Sequence, residues 1–172
     1  MSTSSDTPAS AGQTTAESIK VSWSDETDQE AGRDFVGVIV KAEYPYSDPK
    51  SQFEGVQIRF LVRAEQPVYE NLQPIWIPPS NKRGTKFVLF RNAIAKDCPQ
   101  AWRELLPAIQ AQSDPAKQLE AFYTGLVGMK FHFVDKTFER PNNPKETMKL
   151  CIPVAYLGRG AVTEVHEEKV AL

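Results

Sequence analysis

Residues 126–158 read LVGMKFHFVDKTFERPNNPKETMKLCIPVAYLG. Met129, Phe131 and Phe133 alternate with Lys130, His132 and Val134. Further on, Met148, Leu150, Ile152, Val154 and Tyr156 fall on one side, with Lys149 on the other. Strand side chains point to opposite faces with period two, so this alternation predicts two half-buried strands. Between them lies a polar stretch, Glu139–Thr147, with Arg140, Asn142, Asn143 and Lys145, which predicts a long loop. Cations on the outer sides and in the loop point to a binding surface. No catalytic signature accompanies them.

The chain has 172 residues and a net charge of −2, with a composition normal for a globular domain. The charge is unevenly placed. Residues 1–34 hold two cations and seven acids, residues 35–158 hold 16 cations and 12 acids, and residues 159–172 hold two cations and three acids. A mildly basic body between acidic ends permits a polyanion partner without requiring one. Cys98 and Cys151 have neither disulfide-framework nor metal spacing, which predicts two buried, reduced thiols and a cytoplasmic protein. No apolar run reaches a membrane-spanning length, and the first 20 residues lack the basic start and apolar core of a signal peptide.

Residues 1–33 are polar and acidic without sustained period, which predicts disorder. Within them Ser18–Trp23 (SIKVSW) is an apolar island, a candidate edge strand or clip. Folding is expected to begin at Asp34. DFVGVIVKAEYPY reads as a strand, nearly apolar on both faces at Val36–Val40. Tyr46–Gly55 reads as a loop. In VQIRFLVRAE, Val56, Ile58, Phe60 and Val62 oppose Gln57, Arg59, Leu61, Arg63 and Glu65. Asn71–Ile77 reads as a third strand, and Pro74 places it at an edge or a bulge.

Three helices follow. The first is Thr85–Lys96, with Phe87, Phe90 and Ile94 on one face. The second starts near Pro99 and carries Trp102, Leu105, Leu106 and Ile109, with a kink or stop expected at Pro107. The third starts at Asp114 as N-cap with Pro115 in its first turn, and its stripe is Leu119, Phe122, Tyr123 and Leu126. After Gly158 a flexible tail, residues 159–172, is expected. The fold class is therefore mainly β with a helical insertion (α+β). Three strands, a helical segment and two strands is the order of an OB-fold-like barrel, whose ligand face is flanked by the loops after strands one and four.

The run LVGMKFHFVDKTFE…KLCIPVAYLG resembles the last two strands of phage- and prophage-encoded OB-fold single-stranded-DNA-binding-like proteins. DFVGVIVKAEY before VQIRFLV resembles their opening hairpin, and RGTKFVLFRNAI the helix after their third strand. The resemblance spans residues 34–158 and implies a role in phage-type replication or recombination. The acidic, Phe-ended tail of bacterial single-strand-binding proteins has no counterpart in Glu164, Glu167, Glu168 and Val170–Leu172.

Single-strand binding needs cations along a backbone path and aromatic planes for bases. The candidate cations are Lys41, Arg59, Arg63, Lys82, Arg83, Lys86, Lys130, Lys136, Arg140 and Lys149; the candidate rings are Tyr44, Tyr46, Phe53, Trp76 and Phe138. Lys82–Lys86 sits where the third strand becomes a helix and could hold a phosphate there. Each has a plainer reading. The strand arginines more often mark a solvated face, Trp76 equally suits the core, and Phe53 and Phe138 could simply plug barrel ends. His132 and His166 stand apart, and no nucleophile elbow, phosphate loop or dinucleotide fingerprint appears. The expected function is therefore non-catalytic binding of single-stranded nucleic acid, DNA above all, without a cofactor. The alternative is a protein-interaction or virion-assembly module on the same scaffold. In either case the acidic N-terminal segment could contact a partner or compete for a basic face.

Overall fold

The computed structural model describes residues 32–140 and 142–162. The expectations for residues 1–31, including the Ser18–Trp23 island, and for residues 163–172 lie outside the described residues. The elements are β1 (Asp34–Tyr46), β2 (Gln57–Gln66), β3 (Gln73–Ile77), α1 (Lys86–Asp97), α2 (Pro99–Gln110), α3 (Pro115–Gly125), β4 (Met129–Arg140) and β5 (Asn143–Arg159). They form one five-stranded antiparallel sheet in the order β3-β2-β1-β4-β5 with three helices. The fold is mainly β, with the helices inserted between the third and fourth strands as the sequence predicts.

β1 is the pivot of the sheet. Its start, Asp34–Val38, pairs with β4, and from Val36 to Tyr46 it pairs with β2. Gly37 lies where the two ladders overlap, and a Cβ there would come within 2.8 Å of the Arg63 carbonyl oxygen. A closed barrel would also need β3 to pair with β5. Among the described residues they do not pair, and the sheet stays open. β3 is only five residues long and contains Pro74, which has no N–H to donate to a ladder.

Val38 and Ile39 go to opposite sides, which explains the two-faced apolar run in β1. Ile39 joins the main core with Phe60, Val62, Ile75, Phe131 and Phe133. Val38 and Val40 join Leu61 in a smaller cluster, against which Leu72 and Val162 pack. The amphipathic face of α1 closes the main core. Phe90 stacks on Phe60 with centroids 5.6 Å apart, and Phe87 meets Phe122 of α3 edge-on at 5.5 Å. Aromatic pairs in these geometries stabilise beyond their burial.

Several local expectations need correction. Val56 is exposed and Gln57 buried, because β2 begins at Gln57 opposite Tyr46. Leu61, expected outward among polar residues, is buried in the second cluster. The stretch Glu139–Thr147 is not a long loop; β4 and β5 continue pairing to Arg140↔Asn143. The apolar stripe of β5 is split. Phe133 faces Pro153 and His132 faces Ala155, so Val154 is an extra residue in the ladder. Such a bulge reverses the inward side. Tyr156 thus lies opposite Phe131, while Leu150 lies opposite Lys136. α2 runs through Pro107 to Gln110. Its end follows within one turn, so the proline removes one hydrogen bond and little more. The chain just beyond Gly158 is docked. The Gly160 N–H donates to the Gly128 carbonyl at 2.8 Å, and Val162 packs on the second cluster. Gly128 supports this crossing with φ +95°, a conformation that favours glycine.

Candidate functional site

The predicted site residues fall into two main groups. The first is a belt on the outer face of β1, β2 and β4. Glu43 of β1 accepts from Arg59 of β2 and pairs with Lys41 at 3.1 Å. Glu65 of β2 lies 3.3 Å from Arg63 and 3.0 Å from Lys130 of β4. The Arg59 guanidinium also covers the Tyr46 ring, 4.1 Å from its centroid. Burial works to raise the Glu43 carboxyl, but hydrogen bonds from Arg59 and Lys41 hold it below the ordinary carboxylate value. The hydrogen bond from Lys130 leads in lowering Glu65, against the opposing effect of burial. Each carboxylate thus bridges two of the four predicted cations. The belt alternates in sign rather than presenting a uniform basic groove.

The second group surrounds a cleft of about 530 Å³ between the two sheet edges. β3 supplies Trp76, the β1–β2 loop supplies Phe53, and β5 supplies Lys149. Arg140, at the end of β4, and Lys86, the first residue of α1, complete the predicted set. Arg33 and Gln57 also line the cleft, and no Asp or Glu does among the described residues. Phe53 and Trp76 are 47% and 38% exposed, so part of each ring is open to a ligand. Trp76 connects the two groups, because its cross-strand neighbour is Arg59 of the belt.

Arg33 spans the seam. Its N–H and Nε donate to Asp135 Oδ2 of β4 at 2.9 and 3.3 Å, and its Nη1 donates to the Pro74 carbonyl of β3 at 3.0 Å. Asp135 is nearly buried, and its other oxygen has no hydrogen-bond partner among the described residues. The cross-strand neighbour of Asp135 is Cys151, whose thiol is pushed up to about 12 by burial first and by Asp135. It therefore stays protonated. Arg140 pairs with Glu146 at 3.5 Å. Lys86 makes no ion pair among the described residues, and burial, followed by the nearby Arg140 charge, lowers its pKa.

The other predicted residues lie elsewhere. Tyr44 is exposed and packs against Tyr123 of α3. Lys136 and Phe138 border a separate cleft beside α1 with Lys96 and Asp97. Lys82 and Arg83 are exposed in the turn before α1 and line neither cleft. An apolar cavity of about 390 Å³ lies among the helices beside Arg91, Trp102 and Phe122, and holds none of the predicted residues.

Sequence reasoning missed Arg33, Gln57 and the two bridging glutamates. The glutamates were legible, since Lys41 and Glu43, like Arg63 and Glu65, are two apart in a strand and share a face. Arg33 and Gln57 gave no such signal. The seam cleft offers positive side chains, amide groups and two open aromatic planes without a lining carboxylate. It suits an anion joined to a flat ring. Comparison with protein-family models, curated proteins and solved structures finds no match.

Proposed function

We propose that this protein binds single-stranded nucleic acid, DNA above all, in the cleft between β3 and β5, without catalysing a reaction on it. The observation that carries the reading is the cleft's composition: Phe53 and Trp76 stand open beside Arg33, Lys86, Arg140 and Lys149 with no acid in the described lining. Cations follow the phosphate path, and exposed rings stack on bases of any sequence. The architecture supports the same reading. The order β3-β2-β1-β4-β5 is that of a five-stranded barrel opened between its third and fifth strands. We take the fold to be a partly open barrel of the OB kind, whose β1–β2 and β4–β5 connections border the ligand face. Both connections contribute to this cleft, through Phe53 and Asn142. The replication or recombination role, the phage-type setting and a cytoplasmic location, consistent with two free buried thiols, belong to the same proposal.

A titration with poly(dT) at several salt concentrations tests it. Binding should saturate, and log K should fall linearly with log salt, with a slope of about −2 to −3 for three or four neutralised phosphates. Absence of binding at low salt would refute the proposal. The second reading, a protein-interaction or assembly module, draws support from the apolar cavity among the helices and from the sign-alternating belt. It predicts no oligonucleotide binding at any salt.

A further inference from the structure

We propose that the cavity among α1, α2 and α3 is a second binding site, for a small aromatic carboxylate whose acid group is held by Arg91. It shares no lining residue with the seam cleft. The helix stripes explain why a space is there. Phe87 and Arg91 are four apart on α1, Trp102 and Ile109 seven apart on α2, and Leu119 and Phe122 three apart on α3, so each pair shares one helix face. The three faces converge on the cavity. Phe87 and Phe122 are buried and meet edge-on, whereas Trp102, Ile109 and Leu119 are only partly buried. Well-packed interiors leave few voids larger than a water molecule. At about 390 Å³ this one lies in the range of small-molecule pockets, which often sit between helices.

The charge in its wall selects the kind of molecule that fits. Arg91 is partly buried, with its guanidinium 6.0 Å from the Phe87 ring centroid. Among the described residues it makes no hydrogen bond and no ion pair, and no Asp or Glu lines the cavity. A guanidinium drawn away from water is best compensated by a carboxylate, which takes two parallel N–H donors from its planar fork. The cavity supplies none, so the ligand brings it. The other walls are mostly apolar, and the rings of Phe87, Trp102 and Phe122 offer edge-on or offset contacts to a flat body. An acid group on a one- or two-ring aromatic body meets both demands. A neutral ligand of the same shape would leave Arg91 without its acceptor.

The test uses the full chain, 2-naphthoate and its neutral counterpart 2-naphthalenemethanol, with Arg91→Met and Arg91→Lys as variants. Calorimetric titration of the wild type should show the acid binding about 10-fold or more tightly than the alcohol. The acid should shift the indole N–H resonance of Trp102 and leave that of Trp76 in place. Arg91→Met should abolish the preference for the acid, and Arg91→Lys should keep part of it. An arginine with a merely structural role would affect acid and alcohol alike. Equal affinity for the two compounds, an undiminished preference in Arg91→Met, or a shift at Trp76 instead of Trp102 would overturn the proposal. No binding of either compound at about 1 mM would also overturn it, and would leave the cavity to a side chain of a protein partner.

Discussion

Replacing Asp135 with Ala should loosen the seam that positions the cleft. Asp135 has 8% of its side chain exposed, and its Oδ2 accepts two hydrogen bonds from Arg33, at 2.9 and 3.3 Å. Hydrogen bonds to a charged group contribute about 1.5–3 kcal/mol each. Three features reduce the sum. The 3.3 Å bond is long, the Arg33 side chain is 34% exposed and regains water, and the substitution removes the unpartnered Oδ1. A loss of about 2 kcal/mol remains, equivalent to roughly 6–10 °C in melting temperature for a domain of this size. Asp135→Asn keeps an acceptor for the Arg33 N–H and should lose about half as much. Urea unfolding followed by circular dichroism measures both, with an unchanged m-value as the check that only stability moved. A double-mutant cycle with Arg33→Ala should show coupling of about 1 kcal/mol or more. Stability of Asp135→Ala within about 0.5 kcal/mol of wild type, the range of an ordinary surface substitution, would refute the clasp.

Trp76→Ala should weaken poly(dT) binding by about 5- to 150-fold with little change in salt slope, because stacking carries no counterion release. Fluorescence anisotropy of a labelled oligonucleotide measures it, and unchanged affinity would exclude this ring from the site. Cys98 and Cys151, pushed up to about 11 and about 12 by burial, should resist a thiol-specific reagent at pH 8 in the folded state and react after denaturation. Rapid native-state labelling of either would contradict their placement. Glu43 and Glu65 are held below 4.5, so their ion pairs stabilise the fold fully above that value and lose the contribution as pH falls through and below it. The Glu43→Gln/Glu65→Gln variant should therefore show a flatter decline in stability between pH 5 and 3 than the wild type. An identical decline would remove both pairs from the account.

The order of elements was legible because long periodic segments state their type strongly. Phe131 and Phe133, or Phe87, Phe90 and Ile94, repeat at the spacing of the surface they cover. What was hidden depends on partners distant in sequence. The inserted Val154 is visible only once β4 lies beside β5, since a bulge is a property of a pair of strands. Leu61 reads as an outlier in a polar face until Val38 and Val40 of β1, Leu72 and Val162 arrive from three other places. The open edge was partly legible in Pro74, but the cleft it leaves needs β3 and β5 together. For the candidate site, residue type singled out Phe53, Trp76, Lys86, Arg140 and Lys149, which line one cleft. It did not separate them from Lys41, Arg59, Arg63 and Lys130, whose charges are shared with Glu43 and Glu65. Charge pairing across strands decides that difference, and it follows register rather than composition.

Ultraviolet cross-linking of poly(dT) to the full chain, followed by peptide mapping, tests most directly where a strand lies. Bases stacked in the seam cleft should yield adducts at Phe53 and Trp76, lost when the salt concentration is raised. Adducts concentrated at Trp102 or Phe122 among the helices, or no adduct under conditions that give binding, would contradict the assignment of this cleft.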